Sequence, residues 1–361
     1  MLGGALPPQG RPSHAYLFHG PPGAGKRAAA RAFAAVLLAE GSSDPAGARA
    51  RVEHGTHPDL TWVVPTGATE MRVSDIDEAV VAAATRTPFE SRRRVFVIEG
   101  ADLMNDNAAN RMLKTLEEPP SFVHLVLLTD RPSRVLQTIS SRCQPVRFDA
   151  LAPEDIARSG LHGIAPETAL ACARLALGDG ERAKMLAYGD GAALRSEAET
   201  FARAACAGTV RPLAAEALID RAKALGAAVA ASIEEATAEG MDMLPKKEQA
   251  RARREGEDRA KRAARGAQTD GLDRALVLVG LWLRDVACVM DGAPELIHAV
   301  DRRPQLEEDA AALTDRGVSP NRLRDAIGVI DSTRFGLREL NLTADLALDA
   351  LASRLARGLA G

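Results

Sequence analysis

The sequence predicts an α/β domain with a doubly wound parallel sheet, followed by a small helical lid and an all-helical C-terminal domain. Three observations carry this. Short unbroken apolar runs alternate with helix-like stretches through the first 150 residues. A glycine-rich loop joins the first apolar run to the first helix. After Pro153 no strand-like run follows. The 361 residues leave room for two or three domains.

The elements follow in order. Residues 1–13 are rich in Gly and Pro and read as a loose entry. The apolar runs are Tyr16–Phe18, Leu60–Val64, Val95–Ile98 and Leu125–Leu128. Such runs, bounded by turn residues, have the pattern of strands buried on both faces. Arg27–Glu40 and Asn107–Leu116 have helical spacing, the second ended by Pro119-Pro120. The expected boundaries are 1–150 for the α/β domain, 151–190 for the lid and 194–361 for the helical domain, with Gly189-Asp190-Gly191 as linker. Within the last, Leu276, Val279, Trp282 and Leu283 are expected to be buried.

Charge and cysteine usage exclude several classes. The net charge of −3 gives no whole-chain attraction to nucleic acid, so any such contact needs a local patch. Cys143, Cys172, Cys206 and Cys288 form no CxxC pair, so a zinc site is not expected. Sparse cysteine, an N-terminus unlike a signal peptide and an apolar run no longer than Ala275–Leu283 suit a cytoplasmic protein.

Gly20-Pro21-Pro22-Gly23-Ala24-Gly25-Lys26 matches GxxxxGK between a strand and a helix, the context a phosphate-binding loop requires. Gly20, Gly23 and Gly25 let backbone N–H groups curl around phosphate oxygens, and Lys26 adds a point charge. The next position should be Ser or Thr, whose hydroxyl binds Mg²⁺. Here it is Arg27, which has no acceptor atom and repels a cation. The strand Val95–Ile98 ends in Glu99-Gly100-Ala101-Asp102. In a working ATPase of this kind an Asp at the first of these positions helps hold Mg²⁺ and a Glu at the second polarises water. Glu99 keeps the charge on a longer arm, whereas Gly100 has no side chain. Losing a general base costs about 10²–10⁴ in rate.

From Lys246 to Arg265 nine Lys or Arg accompany four acidic residues. Either this is a solvated charged helix or a patch facing DNA or a partner. It holds no aromatic residue to stack on bases.

The segment Asn107–Pro120, NAANRMLKTLEEPP, together with Thr138–Cys143, TISSRC, resembles the clamp-loader family of AAA+ proteins. His57-Pro58-Asp59-Leu60 further resembles the delta-prime group of that family, which serves bacterial DNA polymerase III. The resemblance is dense over residues 14–150. It implies that Arg142 is an arginine finger acting on a neighbouring subunit's ATP, that Thr129 is a strand-end sensor of the γ-phosphate, and that Arg182 is a lid arginine that senses nucleotide. It implies motor (gamma/tau) and delta subunits, the sliding clamp and, through the assembly, primer-template DNA as partners. Motor subunits of the family carry GKT or GKS and Asp-Glu where this chain has Lys26-Arg27 and Glu99-Gly100. The implied role is therefore a subunit that supports clamp loading in replication, turns over little ATP itself, binds ATP or ADP weakly and holds Mg²⁺ poorly. The alternatives are a catalytic motor subunit of the same loader and an unrelated P-loop enzyme such as a nucleotide kinase.

Overall fold

The computed structural model describes residues 10–65, 71, 73–209, 212–241, 246–340 and 342–360. The chain divides into two compact units, residues 1–152 with 178–180, and residues 153–177 with 181–361.

The first unit is built on a sheet of five strands: β1 (Ala15–His19), β2 (Leu60–Val63), β3 (Arg94–Ile98), β4 (Val123–Thr129) and β5 (Gln144–Arg147). All pairings are parallel and the order is β2-β3-β4-β1-β5. Its helices are α1 (Lys26–Ala39), α2 (Pro45–Glu53), α3 (Val73–Ile76), α4 (Asp106–Glu117) and α5 (Gln137–Ser140). Every residue of β4 is buried. Alternate strand residues feed two apolar clusters. Leu17, Phe96, Ile98, Leu125 and Leu127 pack with Met104 and Met112 of one. Tyr16, Phe18, Val95, Val97 and Val126 pack with Phe33, Leu37 and Leu38 of the other. Side chains alternate across a strand, so a strand covered on both faces must be apolar throughout.

The sequence reading did not include β5. Only Val146 of its four residues is buried, and the strand lies at the sheet edge, where Pro145 is tolerated. An edge strand with one inward residue leaves no apolar run to detect. The His57-Pro58-Asp59 segment has a structural task here. Asp59 is fully buried and accepts from the backbone N–H groups of Phe89 (2.6 Å), Glu90 (2.9 Å) and Ser91 (2.9 Å), holding the turn that leads into β3.

The second unit is helical: α6 (Pro153–Gly160), α7 (Pro166–Leu175), α8 (Gly180–Ala187), α9 (Gly191–Cys206), α10 (Pro212–Met241), α11 (Lys246–Met290), α12 (Arg303–Asp315), α13 (Pro320–Glu339) and α14 (Ala344–Gly358). One apolar cluster runs through residues on both sides of Gly189–Gly191, from Ile156, Cys172 and Leu186 to Phe201, Leu276, Val279, Leu283 and Leu348. Trp282 is buried in it, and its indole N–H donates to Asp309 at 2.9 Å. No helix among the described residues is long and apolar enough to cross a membrane.

Candidate functional site

The order β3-β4-β1 brings the loop after β1, the end of β3 and the end of β4 to one edge of the sheet. In parallel α/β sheets this carboxyl-terminal edge is where ligands bind. Lys26, Arg27, Glu99 and Thr129 all meet there.

Lys26 opens α1 and is buried. Its ammonium donates to the carbonyls of Gly20 (2.8 Å) and Pro21 (2.6 Å) and pairs with Asp130 at 2.6 Å. The charge that should meet a phosphate is thus turned back onto its own loop. Gly25 lies immediately before the helix. Gly23 is left-handed, with φ +67°, and a Cβ there would come within 1.8 Å of the Asp179 carboxyl carbon. The Gly180 N–H donates to the Gly23 carbonyl at 3.3 Å. Residues 178–180 therefore lie against the turn of the loop.

Arg27 turns to the end of β3. Its Nε donates to Glu99 Oε2 at 2.8 Å and its terminal nitrogen pairs with the same oxygen. The other oxygen, Oε1, accepts from the Trp62 indole at 2.7 Å. Trp62 stands on β2, the neighbour of β3, and the Arg31 guanidinium lies 5.0 Å over its ring. Both oxygens of Glu99 thus have donors. Gly100 follows in the left-handed region at φ +65°, and a Cβ would sit 3.0 Å from Pro65 Cγ and 3.1 Å from Leu103 Cδ1. The Thr129 hydroxyl donates to Asp102 at 2.7 Å and accepts from the Arg131 N–H at 3.0 Å.

Arg142 belongs to a different cluster. It lies in the turn between α5 and β5 with 35% of its side chain exposed. Its guanidinium donates to the Thr138 carbonyl at 2.8 Å and to the Ser141 hydroxyl at 3.3 Å, and pairs with Glu117 at 2.6 Å. The Glu117–Arg142 pair joins the EEPP and SRC segments. Beneath it Cys143 is buried, which pushes its thiol pKa up to about 11. Arg182 lies in α8 of the helical unit and is half-buried.

Four residues of this arrangement were not singled out by sequence: Trp62, Asp130, Asp179 and Glu117. Asp130 and Glu117 stand beside residues that were, Thr129 and the EEPP turn. Trp62 becomes visible only once β2 is known to flank β3.

Residues 6–152 match the family model described as DNA polymerase III, delta subunit. The chain is 41% identical over 150 residues to DNA polymerase III subunit delta-prime of Bacillus subtilis, covering 40% of this chain and 45% of that protein. It is 42% identical over 137 residues to the delta-prime subunit of Pseudomonas aeruginosa, covering 36% of this chain and 42% of that protein. To subunit tau of Escherichia coli it is 32% identical over 257 residues, covering 64% of this chain and 38% of that protein. Each match spans less than half of the relative's own length. The five-stranded parallel sheet and the helical C-terminal part fit an AAA+ α/β domain followed by an all-helical region. Over residues 6–152 the chain is thus similar to delta-prime subunits of the DNA polymerase III clamp loader, and the likeness to tau is weaker.

Proposed function

We propose that this chain is a clamp-loader subunit of DNA polymerase III that does not run its own ATPase cycle but lends Arg142 to a neighbouring subunit's ATP. The observation that carries the reading is the internal pairing at the sheet edge. Arg27 and Trp62 take both oxygens of Glu99, and Asp130 with two loop carbonyls takes Lys26. Magnesium-ATP does not fit this donor set. There is no hydroxyl at 27, no carboxylate at 100, and Glu99, the acid that ends β3, faces a guanidinium instead of open space. ATP or ADP can enter only if Lys26 leaves its three partners, so binding here is weak.

Arg142 is the opposite case. It is surface-accessible, oriented by the Thr138 carbonyl, and its carboxylate partner among the described residues, Glu117, is half exposed and easily exchanged for another anion. A guanidinium offered to a γ-phosphate in trans stabilises the charge that grows during transfer. Thr129 and Arg182 are, in this reading, remnants of nucleotide sensing. Residues 151–190 act as the lid and 194–361 as the collar that docks on the motor (gamma/tau) and delta subunits. Phe335, Leu340 and Leu346, exposed apolar side chains of the last two helices, suit such docking. The sliding clamp and primer-template DNA are met through the assembled complex.

Reconstitution with motor and delta subunits tests this. Arg142→Ala should leave assembly intact and lower clamp- and DNA-stimulated ATPase and clamp loading. Unchanged turnover removes Arg142 from the mechanism. ATP hydrolysis by the purified chain well above that of its Lys26→Ala variant returns the chain to the motor class.

A further inference from the structure

The α10–α11 hairpin extends beyond the core of its unit. Among the described residues, none between Ala222 and Leu272 belongs to the unit's apolar cluster. At the base of the hairpin Lys223 pairs with Asp345 and Asp270 lies 4.0 Å from Arg338. Beyond them glycines bring the two helices close. A Cβ on Gly226 would lie 2.8 Å from the Ala264 carbonyl oxygen, and one on Gly256 2.5 Å from Thr237 Cγ2. Gly256 and Ala260 are buried in this seam. The seam fixes which side of α11 faces outward.

At 100° per residue, Arg254, Lys261, Arg262 and Arg265 fall within about 100° of the side opposite the seam. All four are exposed. Among the described residues none has a carboxylate within ion-pair distance, whereas the neighbouring Arg251 and Arg253 pair with Glu255 (2.8 Å) and Glu257 (3.0 Å). Asp258 is the one acid on this side not tied to an arginine. Beyond Ala222 the described acids of the hairpin's other helix are Glu234 and Glu235, which belong to α10, on the far side of the seam.

We propose that this stripe is a binding site for the phosphate backbone of duplex DNA. A straight helix carries its four cations over about 16 Å. The density of positive charge suits a duplex, which carries one negative charge per roughly 1.7 Å of its axis. The stripe holds no aromatic side chain to stack on unpaired bases, and no Asn or Gln to read base edges. The stripe thus offers charge alone, which suits contact with backbone phosphates. The site lies outside residues 6–152, where the family match ends, and does not depend on the role of Arg142.

The test uses the full-length chain and a fluorescent 30-base-pair DNA duplex, with anisotropy read across a potassium chloride series. The comparison is with Arg254→Gln/Lys261→Gln/Arg262→Gln/Arg265→Gln, checked for unchanged helicity by circular dichroism. Wild type should bind with a salt slope that the variant loses by about 3–4 units, and affinity at low salt should fall at least about tenfold. Equal affinity and slope in the two proteins overturns the proposal. So does a wild-type chain that ignores the duplex at low salt yet binds poly-glutamate, which would make the stripe a contact for an acidic protein. A preference for the single strand over the duplex overturns it as well.

Discussion

The glycine loop and the Ser141-Arg142-Cys143 turn lie in one unit and both present cations, but they treat them differently. At the loop, Lys26 and Arg27 are closed on internal acids and carbonyls. At the turn, Arg142 is aimed by a backbone carbonyl and left accessible. The same side-chain chemistry is thus paired inward in one place and left accessible in another. The deciding factor is whether neighbouring strands supply partners. β2 and β4 supply Trp62 and Asp130 beside the loop, whereas the α5–β5 turn at the sheet edge faces little but Glu117.

The largest expected effect tests this contrast directly. In the reconstituted loader, Arg142→Ala should slow hydrolysis at the site it serves by about 10³-fold. Lys26→Ala in the same assay should change turnover less than about twofold. Equal losses would erase the distinction between the regions.

The next effect comes from the other end of β4. His124 is buried and stacked on His14 with ring centroids 5.4 Å apart, its Nδ1 at 2.9 Å from the Ser13 carbonyl. Burial above all lowers its pKa from 6.5 to about 4, only partly offset by the Ser13 hydrogen bond. The folded chain therefore binds fewer protons here than the unfolded chain. This stabilisation is complete above about pH 6.5 and is lost as pH falls toward 4, by about 3 kcal/mol. Urea unfolding of wild type and His124→Gln across that range should show the slope only in wild type.

A smaller effect concerns the Glu99 cluster. Arg27→Thr removes the guanidinium and supplies a hydroxyl, so magnesium should strengthen binding of a fluorescent ATP analogue by about tenfold, or roughly 1.4 kcal/mol. If magnesium already strengthens binding to the wild-type chain, the paired state of Glu99 is not what limits the site. The smallest effect is at Cys143. Its thiol, pushed up to about 11 and buried, should react with a disulfide reagent at neutral pH far more slowly than in urea. Fast labelling of the folded chain would mean the turn beneath Arg142 opens readily.

Much of this was legible in the chain itself. β1, β3 and β4 announce themselves because burial on both faces forces apolar runs, and β2, an edge strand only partly buried, keeps an apolar run beside β3. The loop and the SRC turn are local motifs, readable without knowing the sheet order. What stayed hidden depends on neighbours distant in sequence. Glu99 looks like a metal ligand until Trp62, 37 residues earlier, is found across the strand gap. Lys26 looks like a phosphate ligand until Asp130 closes on it. The 178–180 segment shows no local signal of its contact, yet Asp179 lies against Gly23. The role of Asp59 was hidden for the same reason, since its three backbone donors lie about 30 residues downstream.

Gly100 makes the present state hard to undo. Any L-residue in its place enters a left-handed backbone at about 1–2 kcal/mol and presses on Pro65 and Leu103. An acidic side chain at this position therefore needs compensating room at two other side chains, and a single substitution to Glu should lower the stability of the fold before it adds any chemistry.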